Sequence, residues 1–167
     1  MPYTDRFQST DNLITRLSPI ISAVTDQDVK NSYAGLLAVS SITAYELAIK
    51  DIFIAFSIKK NKVFGAVIES HFSKLNGRIM YGELRGNHIN LFGKKYLDKF
   101  DREFKTKEEN SLASATPISL ITQYNNLILC RHKFVHGGTF TLTVNEVIQA
   151  FTYGKEIIHS LNTIMVR

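Results

Sequence analysis

The chain has 167 residues, of which 44% are apolar and 21% charged. At this size a domain buries about 70% of its unfolded-chain surface, which excludes a disordered polar chain and a mini-protein that depends on staples. The single cysteine, Cys130, excludes an intramolecular disulfide, and a net charge of +5 permits an anionic partner such as RNA without requiring one.

The first residues, Met-Pro-Tyr-Thr-Asp-Arg, carry no apolar signal region. The most apolar run, residues 36–58, is broken by Glu46, Lys50 and Asp51, too polar for a membrane span. A soluble protein of the cytoplasm is expected. Only three prolines occur, no strand-like alternation persists, and no repeat or linker is visible, so residues 1–167 read as one all-α domain.

The first 27 residues hold an N-terminal helix over about 11–24, with Leu13, Ile14, Leu17, Ile20, Ile21 and Val24 at helical spacing and Pro19 as a kink or break. Residues 25–28 form a turn or cap. A long helix follows over 28–60, apolar nearly all round, as in a helix covered on several sides. Its polar stripe is Thr43, Glu46 and Lys50. Glu46 either pairs with Lys50 on a solvated edge or faces a site elsewhere in the fold. Residues 62–75 read as another helix, ending near Asn76-Gly77.

The least regular region is a glycine-rich basic insert over 77–110. It carries Gly77, Gly82, Gly86 and Gly93 among Arg78, Arg85, Lys94, Lys95 and Lys99, with Tyr81, His88, Phe92 and Tyr96 interleaved. Cations hold phosphates and aromatic faces stack on unpaired bases, so this region is a candidate grip for RNA. The plainer reading is a solvated loop and helix whose aromatics pack inward. Gly93-Lys94 is no phosphate loop, because the spacing is missing and no Ser or Thr follows the lysine. Residues 100–109 form a charged helix tail and 110–115 a polar connector.

Thr116-Pro117 has the form of a helix start, with Thr as N-cap and Pro in the first position. Leu120, Tyr124 and Leu127 then recur on one helical face, and the next positions on that face are Arg131 and Val135. An arginine thus stands where the pattern asks for a core residue, and it needs a partner, an interface or an anionic ligand. His132 and His136 lie four apart, and Gly137-Gly138 supplies the positive φ that ends helices. Thr143 to Glu146 is a capping box, with Leu142 and Val147 placed as its staple. The last helix carries Val147, Phe151, Gly154, Ile158, Leu161 and Met165, a seam for a bundle or a dimer.

Arg131, four residues, then His136 resembles the R-x4–6-H motif of the HEPN superfamily, the higher eukaryote and prokaryote nucleotide-binding domains. Phe134-Val135-His136-Gly137 resembles its small prokaryotic members. The motif sits late in a long helix, before a Gly-Gly stop and one final amphipathic helix, and the likeness extends over roughly residues 30–167. It implies a HEPN-like bundle of about five or six helices. It further implies a metal-independent endoribonuclease, in the setting of a toxin or a phage-defence effector.

In that reading His136 is the general base on the 2′-hydroxyl or the general acid on the 5′-oxygen, work that suits a side chain titrating near neutrality. Arg131 stabilises charge on the phosphoryl oxygens. His132 stands where the family often has Asn or Asp, and with Glu46 it orients these groups or binds phosphate. Arg78, Arg85, Lys94, Lys95 and Lys133 are the candidate RNA-binding cations. One histidine cannot serve as acid and base at once, and the resemblance implies a homodimer in which two Arg–His pairs meet. RNA, a second copy, and an antitoxin or defence-system protein are the expected partners.

Three alternatives remain. A non-catalytic module would hold a nucleotide or a partner protein in the same place, and a purely assembling helical scaffold would do neither. His132 and His136 also suit zinc, but no further ligand stands at a telling spacing, so neither metal nor cofactor is expected. Cys130 points about 100° from Arg131 on the helix and reads as packing. His71, His88 and His159 read as isolated structural or exposed residues.

Overall fold

A computed structural model describes residues 2–73, 75, 77–138 and 142–166. The helices are α1 (Asp5–Ala23), α2 (Gln27–Lys60), α3 (Lys62–Phe72), α4 (Tyr81–Glu83), α5 (Lys94–Leu112), α6 (Leu120–Val135) and α7 (Val144–Val166). The protein is an all-α bundle, and α2 is its axis, packed against α1, α3, α6 and α7. No described helix is long and apolar enough to cross a membrane.

The start of α2 is fixed by Asp26, whose Oδ1 accepts from the N–H groups of Asp28 at 2.8 Å and Val29 at 3.1 Å. Its far end carries Lys59 and Lys60, which complement the helix dipole. Asn61 then closes α2 with its backbone N–H, donating to the Ser57 carbonyl at 2.9 Å, and caps α3 with its side chain, accepting from Val63 N–H at 2.8 Å. Between these ends Leu37, Ala38, Ile42, Tyr45, Ala48, Ile49 and Phe53 are at most 1% exposed. Each large side chain so buried contributes about 1.5–3 kcal/mol.

Several boundaries differ from the expected ones for reasons of packing. Helix α1 begins at Asp5 rather than near residue 11, because Phe7 is buried against Tyr45 and Phe151 and Arg6 forks onto Asp51. It continues through Pro19 to Ala23. Helix α3 ends at Phe72; the expected stop at Asn76 lies outside the described residues, while Gly77 has φ +75°.

The insert is helical rather than open. After residues 77–80, α4 passes into a π turn over Leu84–His88, a 3-10 turn over Ile89–Phe92, and then α5. Leu84, Ile89, Phe100 and Phe104 enter the core, and among the described glycines of this region only Gly77 and Gly93 take a positive φ.

The motif helix α6 starts at Leu120, with Ser119 as its cap, and not at Thr116-Pro117. A carboxylate from α5 decides this. Glu108 accepts from the Ser119 hydroxyl at 2.7 Å and from Leu120 N–H at 2.8 Å. The capping box of α7 forms: Thr143 N–H donates to Glu146 Oε2 at 2.7 Å, and Glu146 N–H donates to Thr143 Oγ1 at 3.3 Å. Val147, Phe151, Gly154, Ile158, Leu161 and Met165 are all buried within the bundle. The α7 seam is therefore consumed inside one protomer and is no dimer surface.

Candidate functional site

The buried face of α6 holds Leu120, Tyr124, Leu127, Ile128 and Cys130, and it leaves the core in its last turn. Arg131 is only half-buried and Val135 is 51% exposed. The arginine thus stands at the rim of the core with its head free of most of the desolvation cost that full burial would impose. His136 closes the helix, its N–H donating to the His132 carbonyl at 3.1 Å. Gly137 takes φ +71°, and Gly138 N–H returns to the Lys133 carbonyl at 2.8 Å, the paired ending that a left-handed glycine allows. This turn holds the His132 and His136 rings 4.4 Å apart, centroid to centroid.

Arg131, His132 and His136 form one wall of a cleft of about 420 Å³. Ile42 of α2, Gly77, Arg78, Met80 and Glu83 line the same cleft. Gly77, Arg78 and Met80 belong to a strap, residues 77–81, tied at three points. Gly77 N–H donates to Glu46 Oε1 at 2.6 Å. The Tyr124 hydroxyl donates to the Ile79 carbonyl at 2.7 Å, and Tyr81 N–H donates to Asn125 Oδ1 at 3.0 Å. Two helices far apart in sequence thus hold one short extended segment over the motif.

Glu46 turns toward this site rather than to a solvated edge. Its hydrogen-bond partner is the strap's Gly77 N–H, and Arg131 acts on it through space. Burial pushes its carboxyl above the ordinary 4.5, against the lowering by the Gly77 bond and by the charges of Arg131 and Lys50. Cys130 is buried, and burial pushes its thiol up to about 11, so it packs and is no nucleophile.

The candidate RNA-binding cations separate. Arg78 lines the cleft. Lys133 is exposed on the last turn of α6, outside the cleft lining, with the Gly138 backbone beside it. Arg85 does not reach the cleft: its guanidinium is forked onto Asp101, two bonds of 2.6 Å. Lys94 and Lys95 are exposed at the start of α5, beside Tyr96, which packs on Phe56. Phe56 is ten residues along α2 from Glu46, about 15 Å at ~1.5 Å per residue. The insert's aromatics also turn inward, Tyr81 onto Phe100 and Phe104, Phe92 onto Phe53 and Phe56. These rings pack into the bundle, and the insert residues that line the cleft are Gly77, Arg78, Met80 and Glu83.

Glu83, Met80, Tyr124 and Asn125 belong to the site and are not singled out by the sequence. Tyr124 reads as core, which it is, and only its hydroxyl reveals the second role. Asn125 lies beside the buried face and carries no signal of its own. Among the described residues no group of three or more His, Cys, Asp or Glu is placed to hold a metal ion.

The family model described as RiboL-PSP-HEPN matches residues 3–167. No curated protein and no solved structure matches the chain.

Proposed function

Since the chain belongs to the RiboL-PSP-HEPN family, we propose that its cleft is the active site of a metal-independent endoribonuclease. The observation that carries this reading is the meeting of Arg131, His132 and His136 in one cleft that Arg78 also lines. A neutral His136 takes the proton from a 2′-hydroxyl, the oxygen attacks the adjacent phosphorus, and an acid protonates the departing 5′-oxygen. The Arg131 guanidinium binds the phosphoryl oxygens as charge gathers on them. His132, whose ring lies against His136, orients it or meets the phosphate. Glu46 acts through the strap, by holding Gly77.

A second copy would supply the second histidine. The support for a homodimer comes from α6 itself, where Leu129 at the cleft and Val135 after it are 44% and 51% exposed. Sedimentation at micromolar concentration checks this, with a monomer as the contrary result. A toxin or phage-defence setting, with an antitoxin or defence-system partner, is the context this chemistry fits.

The direct test is incubation of the protein with total RNA in EDTA, beside His136→Ala. Cleavage should survive the chelator and leave a 2′,3′-cyclic or 3′-phosphate and a 5′-hydroxyl. His136→Ala should slow it by ~10²–10⁴-fold, the worth of one positioned acid–base group. A substrate with 2′-deoxyribose at the scissile position should resist. Activity that vanishes with EDTA and returns with zinc or magnesium would overturn the mechanism. RNA or nucleotide binding without cleavage would leave the binding-module reading, which a cleft of about 420 Å³ also suits.

A further inference from the structure

A second cavity of about 410 Å³ adjoins the cleft. The two share Arg78 and Glu83, so they are neighbouring compartments of one groove. Phe72 and Leu75, both buried, give the second compartment an apolar floor, and Leu91 gives it an apolar lip. Besides the shared Arg78 and Glu83, its polar groups are His71 from α3 and Asn87 and His88 from the π turn. The sequence treats His71 and His88 as unrelated; the fold brings them to one cavity.

His88 also explains how the compartments are joined. Its Nε2 donates to the Arg78 carbonyl at 2.7 Å, and since a carbonyl only accepts, Nε2 carries the proton. The π turn that shapes the second compartment therefore anchors the main chain of the arginine that the first compartment uses. Asn87 and His71 are exposed, and the His71 ring lies edge-on to Phe72 at 5.0 Å.

We propose that this second compartment is a nucleobase subsite. It takes the base of a nucleotide adjoining the scissile phosphate, with the Arg78 guanidinium on the phosphate between. The inference rests on the ribonuclease reading for the word scissile, and on the cavity alone for the base. An apolar floor beneath a primary amide and an imidazole suits a flat heterocycle with donors and acceptors on its edge. A base can enter only when splayed out of a helix, so the ligand class is single-stranded RNA, read at one flanking position.

The test separates base recognition from cleavage. A short single-stranded RNA, 2′-O-methylated so that it cannot be cut, is compared with versions lacking one base at a time. In wild type, removal of one particular base should weaken binding by about tenfold, the worth of one or two neutral hydrogen bonds. In His71→Ala, Asn87→Ala and the double variant, all exposed sites, the intact RNA should bind more weakly, and removal of that same base should cost little more. If base removal costs the variants as much as wild type, or no single base matters in wild type, the subsite is wrong. Cleavage of unmodified RNA by the same wild-type preparation judges the ribonuclease reading separately. A protein with the base coupling but no cleavage keeps the subsite and loses the enzyme; one that cuts without the coupling does the reverse.

Discussion

Glu46 and Arg131 meet at Gly77. A Cβ built on that glycine would lie 3.4 Å from Arg131 Nη1 and 3.8 Å from Glu46 Oε1, while the glycine's own N–H is already bonded to the carboxylate. The acid of α2 and the arginine of α6 therefore communicate through a residue that has no side chain and sits at φ +75°.

The first prediction concerns that carboxyl. Burial raises its pKa in the fold, so the folded chain holds the proton more tightly than the unfolded one. Its contribution to stability is then greatest below 4.5 and declines as pH rises through that value and through the raised one. Glu46→Gln keeps an oxygen for Gly77 N–H and cannot ionise. Its melting temperature should gain on wild type as pH rises above 4.5. A gap that moves the other way would mark Glu46 as an anion stabilised chiefly by Arg131.

Arg131→Lys keeps the charge and loses the planar fork. Because Arg131 is only half-buried, the fold should persist with an unchanged circular dichroism spectrum. Cleavage should fall by ~10²–10³-fold, the scale of losing one preorganised charge stabiliser. A lysine variant that cuts RNA at the wild-type rate would remove Arg131 from the transition state.

Tyr124→Phe leaves the Ile79 carbonyl, on a residue with no exposure, without its donor. Urea denaturation should register a loss of ~1–3 kcal/mol. RNA cleavage should drop further than the remaining folded fraction accounts for, since the strap loses one of its three ties. Equal losses in stability and activity would make Tyr124 a core residue only.

Gly137→Val tests the helix end. Among the described residues nothing lies within 4 Å of a Cβ there, and the cost expected is that of the backbone at φ +71°. The variant should lose ~1 kcal/mol or more in a thermal melt. An unchanged melting temperature would mean that α6 runs on past His136.

How far these features could be read beforehand depended on the range of the forces behind them. Helix α2 was legible to within one residue, because Asp26 caps it locally and its apolar content is continuous. The ending of α6 was legible too, since Gly137 needs only its own φ. The start of α6 was not: Glu108, eleven residues before Ser119, overrides a well-formed Thr-Pro signal. The insert misled because its glycines suggest a loop, whereas Leu84, Ile89, Phe100 and Phe104 decide the matter by burial. At the site, Arg131, His132, His136 and Arg78 line one cleft. Arg85 does not, for Asp101 claims it, and no local pattern announces which of five cations will find a carboxylate first.

The aromatic column at the centre of the bundle gives the molecule an optical property. Tyr45 lies stacked between Tyr124 and Phe151, each ring 5.5 Å away, and both tyrosines are fully buried. The chain has no tryptophan. Its near-ultraviolet circular dichroism therefore arises from phenol and phenyl rings, and this fixed, mutually coupled pair of tyrosines stands at the head of them. One of the two holds the strap by its hydroxyl, and the other holds α7 through the Phe151 carbonyl. The protein thus carries an intrinsic chromophore wired to both halves of its architecture, and loosening of side-chain packing registers there while the far-ultraviolet helix signal is still intact.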